Sequence, residues 1–361
     1  MGRQSHPPVA LVKLLRAFGF PIRCDPALRR FSCQHSVPHS YLIRCSHPWQ
    51  RESGDMGLTR HSSPPGLKQA YILDSIGFPT QATSNFENRL IASPNETDGI
   101  FLLSHRRFTT ETVDEGLSEI GLYPRAIFVL KGAIKLHDAG SCKVITEGDF
   151  VFVPESRTYG YMVHEPGTEL LLLTTYLEHG NSKADPKEAM VQTKDILTPS
   201  SSELYLLKRN VGRCSVFGGF LTRPLLRQSH GLDRISISIM ESTTRYPERP
   251  FVDRWVCFTN VHHCFYVLEG QFKFKIKGDM EWSYADAGES FFVPSRTFFI
   301  GDVASETARV ILFANGEGVD EMVVKAGHSH EGPLPETIGK WDGWDEARVK
   351  SACAQLGAQI E

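Results

Sequence analysis

One motif in this chain occurs twice, and that repeat limits its fold more than any other feature. Ala126-Ile127-Phe128-Val129-Leu130-Lys131-Gly132 recurs as Cys264-Phe265-Tyr266-Val267-Leu268-Glu269-Gly270. Each copy leads into a second block, Gly148-Asp149-Phe150-Val151-Phe152-Val153-Pro154 and Gly288-Glu289-Ser290-Phe291-Phe292-Val293-Pro294, with Gly and Pro six positions apart in both. Two copies of one folding unit, laid end to end, account for this arrangement.

Each block reads as a short antiparallel strand pair, because β-branched and aromatic residues run for several positions until a Gly or Pro stops them. After Gly270 the order Phe272-Lys273-Phe274-Lys275-Ile276-Lys277 alternates apolar and polar, which gives a strand one dry face and one wet face. The unit is therefore all-β, a barrel or sandwich.

Composition removes several function classes. With 361 residues, 41% hydrophobic content and a net charge of -3, the chain has room for two ordinary domains and carries no nucleic-acid footprint. No apolar run approaches the roughly 20 residues needed to span a bilayer. Eight cysteines without CxxC spacing suggest neither a zinc motif nor a disulfide framework, and a reducing, cytoplasmic setting is expected. The first fifty residues differ from the rest, with seven Lys/Arg against the single acid Asp25. Residues 1–55 are thus read as a basic extension: a targeting segment, disorder, or sequence upstream of a start at Met56.

The phrases FVLKG…EGDFVFVPESRTY and YVLEG…AGESFFVPSRTFF resemble the two motif blocks of the cupin superfamily. The layout, with the strand Ile235-Ser236-Ile237-Ser238-Ile239 ahead of the second copy, is most similar to fungal quercetinase-like bicupins. This resemblance implies two tandem jelly-roll (RmlC-like) barrels with short flanking helices. The expected domains are an N-terminal barrel at 70–178, a linker at 179–230, a C-terminal barrel at 231–320, and a tail at 321–361 with a helix from Trp344 to Gln359.

The resemblance also implies where a metal would sit. Metal-dependent cupins use His-x-His, a Glu, and a third His five residues past the Pro of the second block. Counting from Gly132 places Ser118, Ile120, Arg125 and Tyr159 at these positions in the first barrel. Counting from Gly270 gives Val256, Phe258, His263 and Phe299 in the second. A guanidinium only donates hydrogen bonds and repels a cation, so Arg125 argues against a metal. Of the neighbours His262 and His263, strand alternation sends one inward and the other to the surface.

The expected site in the first barrel is Arg125, Tyr159 and Tyr161, with Glu119 and His105 as proton-transfer candidates. Arg and Tyr donors suit an enolate or phenolate oxygen. The function expected is cofactor-independent, non-oxidative chemistry (cyclisation, isomerisation or a pericyclic step) on an aromatic or polyketide-like small molecule of fungal secondary metabolism. Two alternatives stand beside it: a quercetinase-type dioxygenase holding copper, iron, manganese or nickel, and a non-catalytic binding or structural bicupin. No nucleic-acid or membrane partner is expected, and pairing through barrel edges would give a homodimer.

Overall fold

The structure is a computed structural model and describes residues 58–60, 68, 70–73, 80–110, 113–115, 123–138, 141–155, 159–176, 204–227, 235–246, 253–335 and 345–361. The basic extension lies outside them. Residues 53–361 form one compact unit.

The repeat in the sequence is a repeat in space. The larger sheet of the first barrel runs Tyr205–Leu207, Phe150–Val153, Arg125–Lys131, Glu169–Thr175, Phe101–Phe108, Phe86–Ala92, Thr80–Ala82. That of the second runs Tyr71–Leu73, Ser290–Val293, His263–Glu269, Thr307–Ala314, Ser236–Thr243, Phe220–Leu226, Cys214–Phe217, strand for strand the same order. Leu58–Arg60 and His328–His330 extend its two edges. The smaller sheets also match: Val113–Glu115, Tyr159–Val163, Ala133–Asp138, Ser141–Thr146 against Val256–Phe258, Phe299–Val303, Gln271–Ile276, Ser283–Asp286.

The edge strands depart from the boundaries expected above, because the barrels exchange them. Tyr71-Ile72-Leu73, expected to open the first barrel, pairs with Phe292, Phe291 and Ser290 of the second. Tyr205-Leu206-Leu207, expected in the linker, pairs with Phe152, Val151 and Phe150 of the first. These two triplets are equivalent members of the repeat. Cys214–Phe217 and Phe220–Leu226, also placed in the linker, are strands of the second barrel. The C-terminal helix spans Glu346–Leu356, capped by the Asp345 carboxylate on two amides. After it, Ala358–Ile360 adds to the second barrel's small sheet. None of the helices in the described residues is long and apolar enough to cross a membrane.

Three large apolar cores result, beside a small cluster of Cys214, Val216 and Leu221. Outer faces of the two large sheets pack against each other through Phe101, Leu103, Leu171, Ile237, Ile311 and Phe313. The first barrel's interior holds Phe108, Ile127, Val129, Leu136, Val151 and Leu170. The second is filled by aromatic rings, among them Phe258, Phe265, Phe272, Phe274, Phe291 and Phe299. Asp149 anchors the segment that follows Tyr205–Leu207 to the first barrel, accepting from the Lys208 ammonium at 2.7 Å and the Arg209 amide at 2.9 Å.

The hairpin glycine of each first block sits in the left-handed region, at φ 77° for Gly132 and φ 73° for Gly270. A Cβ on Gly270 would lie 2.2 Å from the Thr307 carbonyl oxygen, which belongs to backbone and cannot step aside. Gly288 is also left-handed, but nothing lies within 4 Å of its missing Cβ. Left-handed strain costs about 1–2 kcal/mol and overpacking a further 1–3 kcal/mol. Gly270→Ala is therefore expected to lose about 2–5 kcal/mol in urea denaturation and Gly288→Ala only about 1–2 kcal/mol; equal losses would refute the close contact.

Candidate functional site

Pleating fixes which side chains enter the first barrel. On Arg125–Lys131, Ile127 and Val129 lie in the interior core, so Arg125 shares their inward face. On Tyr159–Val163 the same holds for Tyr159, Tyr161 and Val163. Arg125 Nη1 donates to Tyr159 Oη at 3.2 Å. One pleat along, Arg106 Nη1 donates to Tyr161 Oη at 3.1 Å, and its guanidinium lies 4.2 Å from the centre of the Phe86 ring. Both tyrosines are buried. The interior thus carries two stacked guanidinium–phenol pairs.

Arg106 was not anticipated. Its signal was present in the alternation of Phe101–Phe108: Phe108 belongs to the interior core and Arg106 has the same parity. That alternation also corrects the place of His105, which faces outward with Phe101 and Leu103 toward the other barrel. There His105 Nε2 lies 3.0 Å from a Glu169 oxygen, and its ring stands edge-on to Tyr266 at 5.9 Å. This bond to His105 is the main cause holding the Glu169 carboxyl below its ordinary range, against the opposing effect of burial. His105 is therefore on the wrong face to serve the interior. Glu119, Ser118 and Ile120 lie outside the described residues.

At the barrel rim, the Tyr123 and Tyr176 rings meet edge to face at 5.1 Å. Burial raises the Tyr176 phenol, while the nearby charge of Arg125 pulls it down. Asp138 pairs with Tyr159 across the small sheet, which puts a carboxylate on the same face.

The equivalent point in the second barrel has different chemistry. His263 lies 4.8 Å from Phe258 and 5.6 Å from Phe299, ring centre to ring centre, and Val256 pairs with Phe299. So the four positions found by counting do converge in space. His263 is buried and its Nε2 accepts from the Val319 amide at 3.2 Å; burial drives its pKa down to about 3, with His262 adding to the shift. It is a neutral core imidazole. With His263 inside, His262 is the one of the pair expected at the surface, yet it is only 2% exposed. Its Nε2 faces Asp98 of the first barrel at 2.5 Å and its Nδ1 accepts from the Ser295 amide at 3.0 Å. Adjacent residues do point opposite ways, but the outward side is the interface between barrels rather than solvent.

The described donors at these positions do not suit a metal ion. A guanidinium and a phenol meet at the point in the first barrel, and one imidazole stands among phenyl rings in the second. No cluster of three His, Cys, Asp or Glu that could hold an ion occurs among the described residues.

No family model and no curated protein matches the sequence. Solved structures do match. Protein YlbA of E. coli, of the DUF861 family, superimposes with a TM-score of 0.51 over 68% of this chain and 90% of its own, at 11% identity. A Pseudomonas aeruginosa protein described as glyoxylate induced gives 0.51 over 70% and 93%, at 14% identity. An oxalate decarboxylase mutant from Bacillus subtilis gives 0.47 over 72% and 79%, at 10% identity. Identities this low speak to architecture only. With its duplicated sheets and reciprocal edge strands, the chain has the cupin fold in its two-barrel form, a bicupin.

Proposed function

We propose that the first barrel binds an oxygen-rich small molecule, an aromatic or polyketide-like enol or phenol, and transforms it without redox change or metal. A single observation carries this reading: Arg125 occupies the interior position and hydrogen-bonds Tyr159 there. A fixed guanidinium in a half-buried site lowers the cost of an oxyanion developing on the substrate, since screening by water is weak there. Tyr159, polarised by Arg125, is placed to donate to the same oxygen. Asp138 supplies a carboxylate on the same face to take up a proton, so a substrate C–H or O–H can be relayed to a neighbouring atom with no change of oxidation state. Quercetinase-like kinship and a place in fungal secondary metabolism are part of this proposal and rest on the motif resemblance alone.

The dioxygenase alternative needs a bound divalent metal and molecular oxygen, and Arg125 disfavours the first requirement. Elemental analysis and product mass settle between them. Protein supplied with copper, iron, manganese and nickel is expected to retain only trace metal, and its product is expected to be isomeric with the substrate or lighter by water. Arg125→Met, folded by circular dichroism, is expected to lose about 10²–10³-fold in turnover, the usual effect of removing one oxyanion donor. Near-stoichiometric metal together with ¹⁸O from ¹⁸O₂ in the product would overturn the proposal.

A further inference from the structure

A second polar site lies away from the first barrel's interior. A cleft of about 430 Å³ opens beside the second barrel's large sheet, lined by Arg209, Asn210, Arg223, Glu241, Glu269 and Arg309, with Gly332 and Pro333 at its edge. That volume falls within the ordinary range for small-molecule sites, roughly 300–1,000 Å³.

Arg309 takes two carboxylates at the cleft, and one guanidinium is left with no carboxylate in contact among the described residues. Arg309 sits between two acids, its Nε 3.4 Å from Glu241 and its Nη1 3.4 Å from Glu269, and its Nη2 donates to Asn210 Oδ1 at 3.3 Å. Arg209 pairs outside the cleft with Glu147 at 3.3 Å. Arg223 is different. It is 3% exposed, and its guanidinium donates only to backbone carbonyls: Asn210 at 3.0 Å, Gly212 at 3.1 Å and Gly332 at 3.1 Å. Its Nε is buried with no acceptor, and no carboxylate partners it among the described residues. A buried charge is costly unless a counter-charge meets it.

We infer that this cleft is a ligand site for a small molecule bearing an oxyanion, carboxylate or phosphate, together with a hydroxyl or ammonium group. The oxyanion supplies the counter-charge that Arg223 lacks and lies within the arc of Arg209 and Arg309, whose planar forks suit either group. Glu241 and Glu269 accept from the ligand's hydroxyl or ammonium. The site is independent of the first barrel's interior: it is built on the strand Phe220–Leu226, its neighbours and the segment 208–213.

The test is thermal stabilisation and calorimetric titration of the full chain with L-malate, inorganic phosphate and chloride at matched ionic strength. Saturable binding of malate, phosphate or both, with none for chloride, is expected, and the stronger of the two identifies the oxyanion. Arg209→Ala and Arg309→Lys, both partly exposed positions, are expected to weaken that binding at least tenfold, and Arg223→Met to abolish it if the variant folds. Arg125→Met serves as the control and leaves this binding intact; binding lost there would locate the anion in the first barrel and overturn the inference. Stabilisation that tracks ionic strength alone, or is unchanged in Arg209→Ala and Arg309→Lys, would overturn it equally.

Discussion

Phe291→Ala is expected to lower the stability of the chain by about 3–5 kcal/mol, the range for emptying a buried aromatic position. Phe291 is 1% exposed and stacks on Phe265 and on Phe274, with ring centres 4.4 Å apart in each case. Phe272 stacks on it from 5.5 Å. These rings are held by a closed barrel wall and cannot collapse into the space a lost phenyl leaves. The repeat supplies an internal control: Val151 holds the same position in the first barrel, opposite Ile127 as Phe291 is opposite Phe265. Val151→Ala removes two methyls, worth about 1.5–2 kcal/mol at about 0.8 kcal/mol per buried carbon. In a domain this large, 1 kcal/mol moves the melting temperature by about 2–4 °C, so calorimetry should separate the two by several degrees. Equal shifts would mean that the second barrel's aromatic core is no more rigid than the aliphatic interior of the first.

This contrast between barrels could be read from the sequence because it lies in strand interiors, where alternation assigns each side chain a face. Counting from Gly132 and Gly270 brought Arg125 to Tyr159, and His263 to Phe258 and Phe299, as the structure has them. Alternation along Phe101–Phe108 puts Arg106, not His105, on the inward face with Phe108, and nearness in sequence does not define a face. The edge exchange was harder to see. Tyr71-Ile72-Leu73 and Tyr205-Leu206-Leu207 hold equivalent positions, but three residues are too few to announce a strand, and nothing local says that each will pair with the other barrel. His262 shows a further limit, since alternation tells inside from outside but not whether outside is water or a neighbouring sheet. Pairing can also hide a repeat by reversing its charges. Glu169 opposes Lys131 and Arg107 in the first barrel, and Arg309 opposes Glu269 and Glu241 in the second, the same three positions with every sign exchanged.

Two buried titratable groups in the second barrel are expected to hide each other's pH dependence. Asp320 is 1% exposed and accepts from Ser238 Oγ at 2.6 Å and from Ser236 Oγ at 3.3 Å. Burial, then the charge of Glu321, raise its carboxyl to about 6, above the unfolded value of about 3.9. Its ionised form therefore opposes folding: the cost is absent below pH 4, grows as pH rises and is complete above 6. His263 is held neutral down to about pH 3, whereas the unfolded imidazole takes a proton near 6.5. Its contribution is complete above pH 6.5 and is lost as pH falls. Near pH 5 the folded chain holds one proton on Asp320 and none on His263, and the unfolded chain holds none on the aspartate and one on the histidine. Proton counts agree, so the two slopes cancel. Removing either group exposes the other. Relative to the parent protein, Asp320→Asn should lose about 1 kcal/mol of stability on acidification from pH 6 to 5, and His263→Gln, which keeps an acceptor for the Val319 amide, should gain a similar amount. Urea denaturation between pH 4.5 and 8 measures both differences, in which the background of other carboxylates cancels. Profiles parallel to that of the parent in both variants would refute the assignment. Opposite slopes would establish that the second barrel keeps a neutral interior at acid pH, while the first holds two guanidiniums, and would leave the charged interior as the one suited to anionic chemistry.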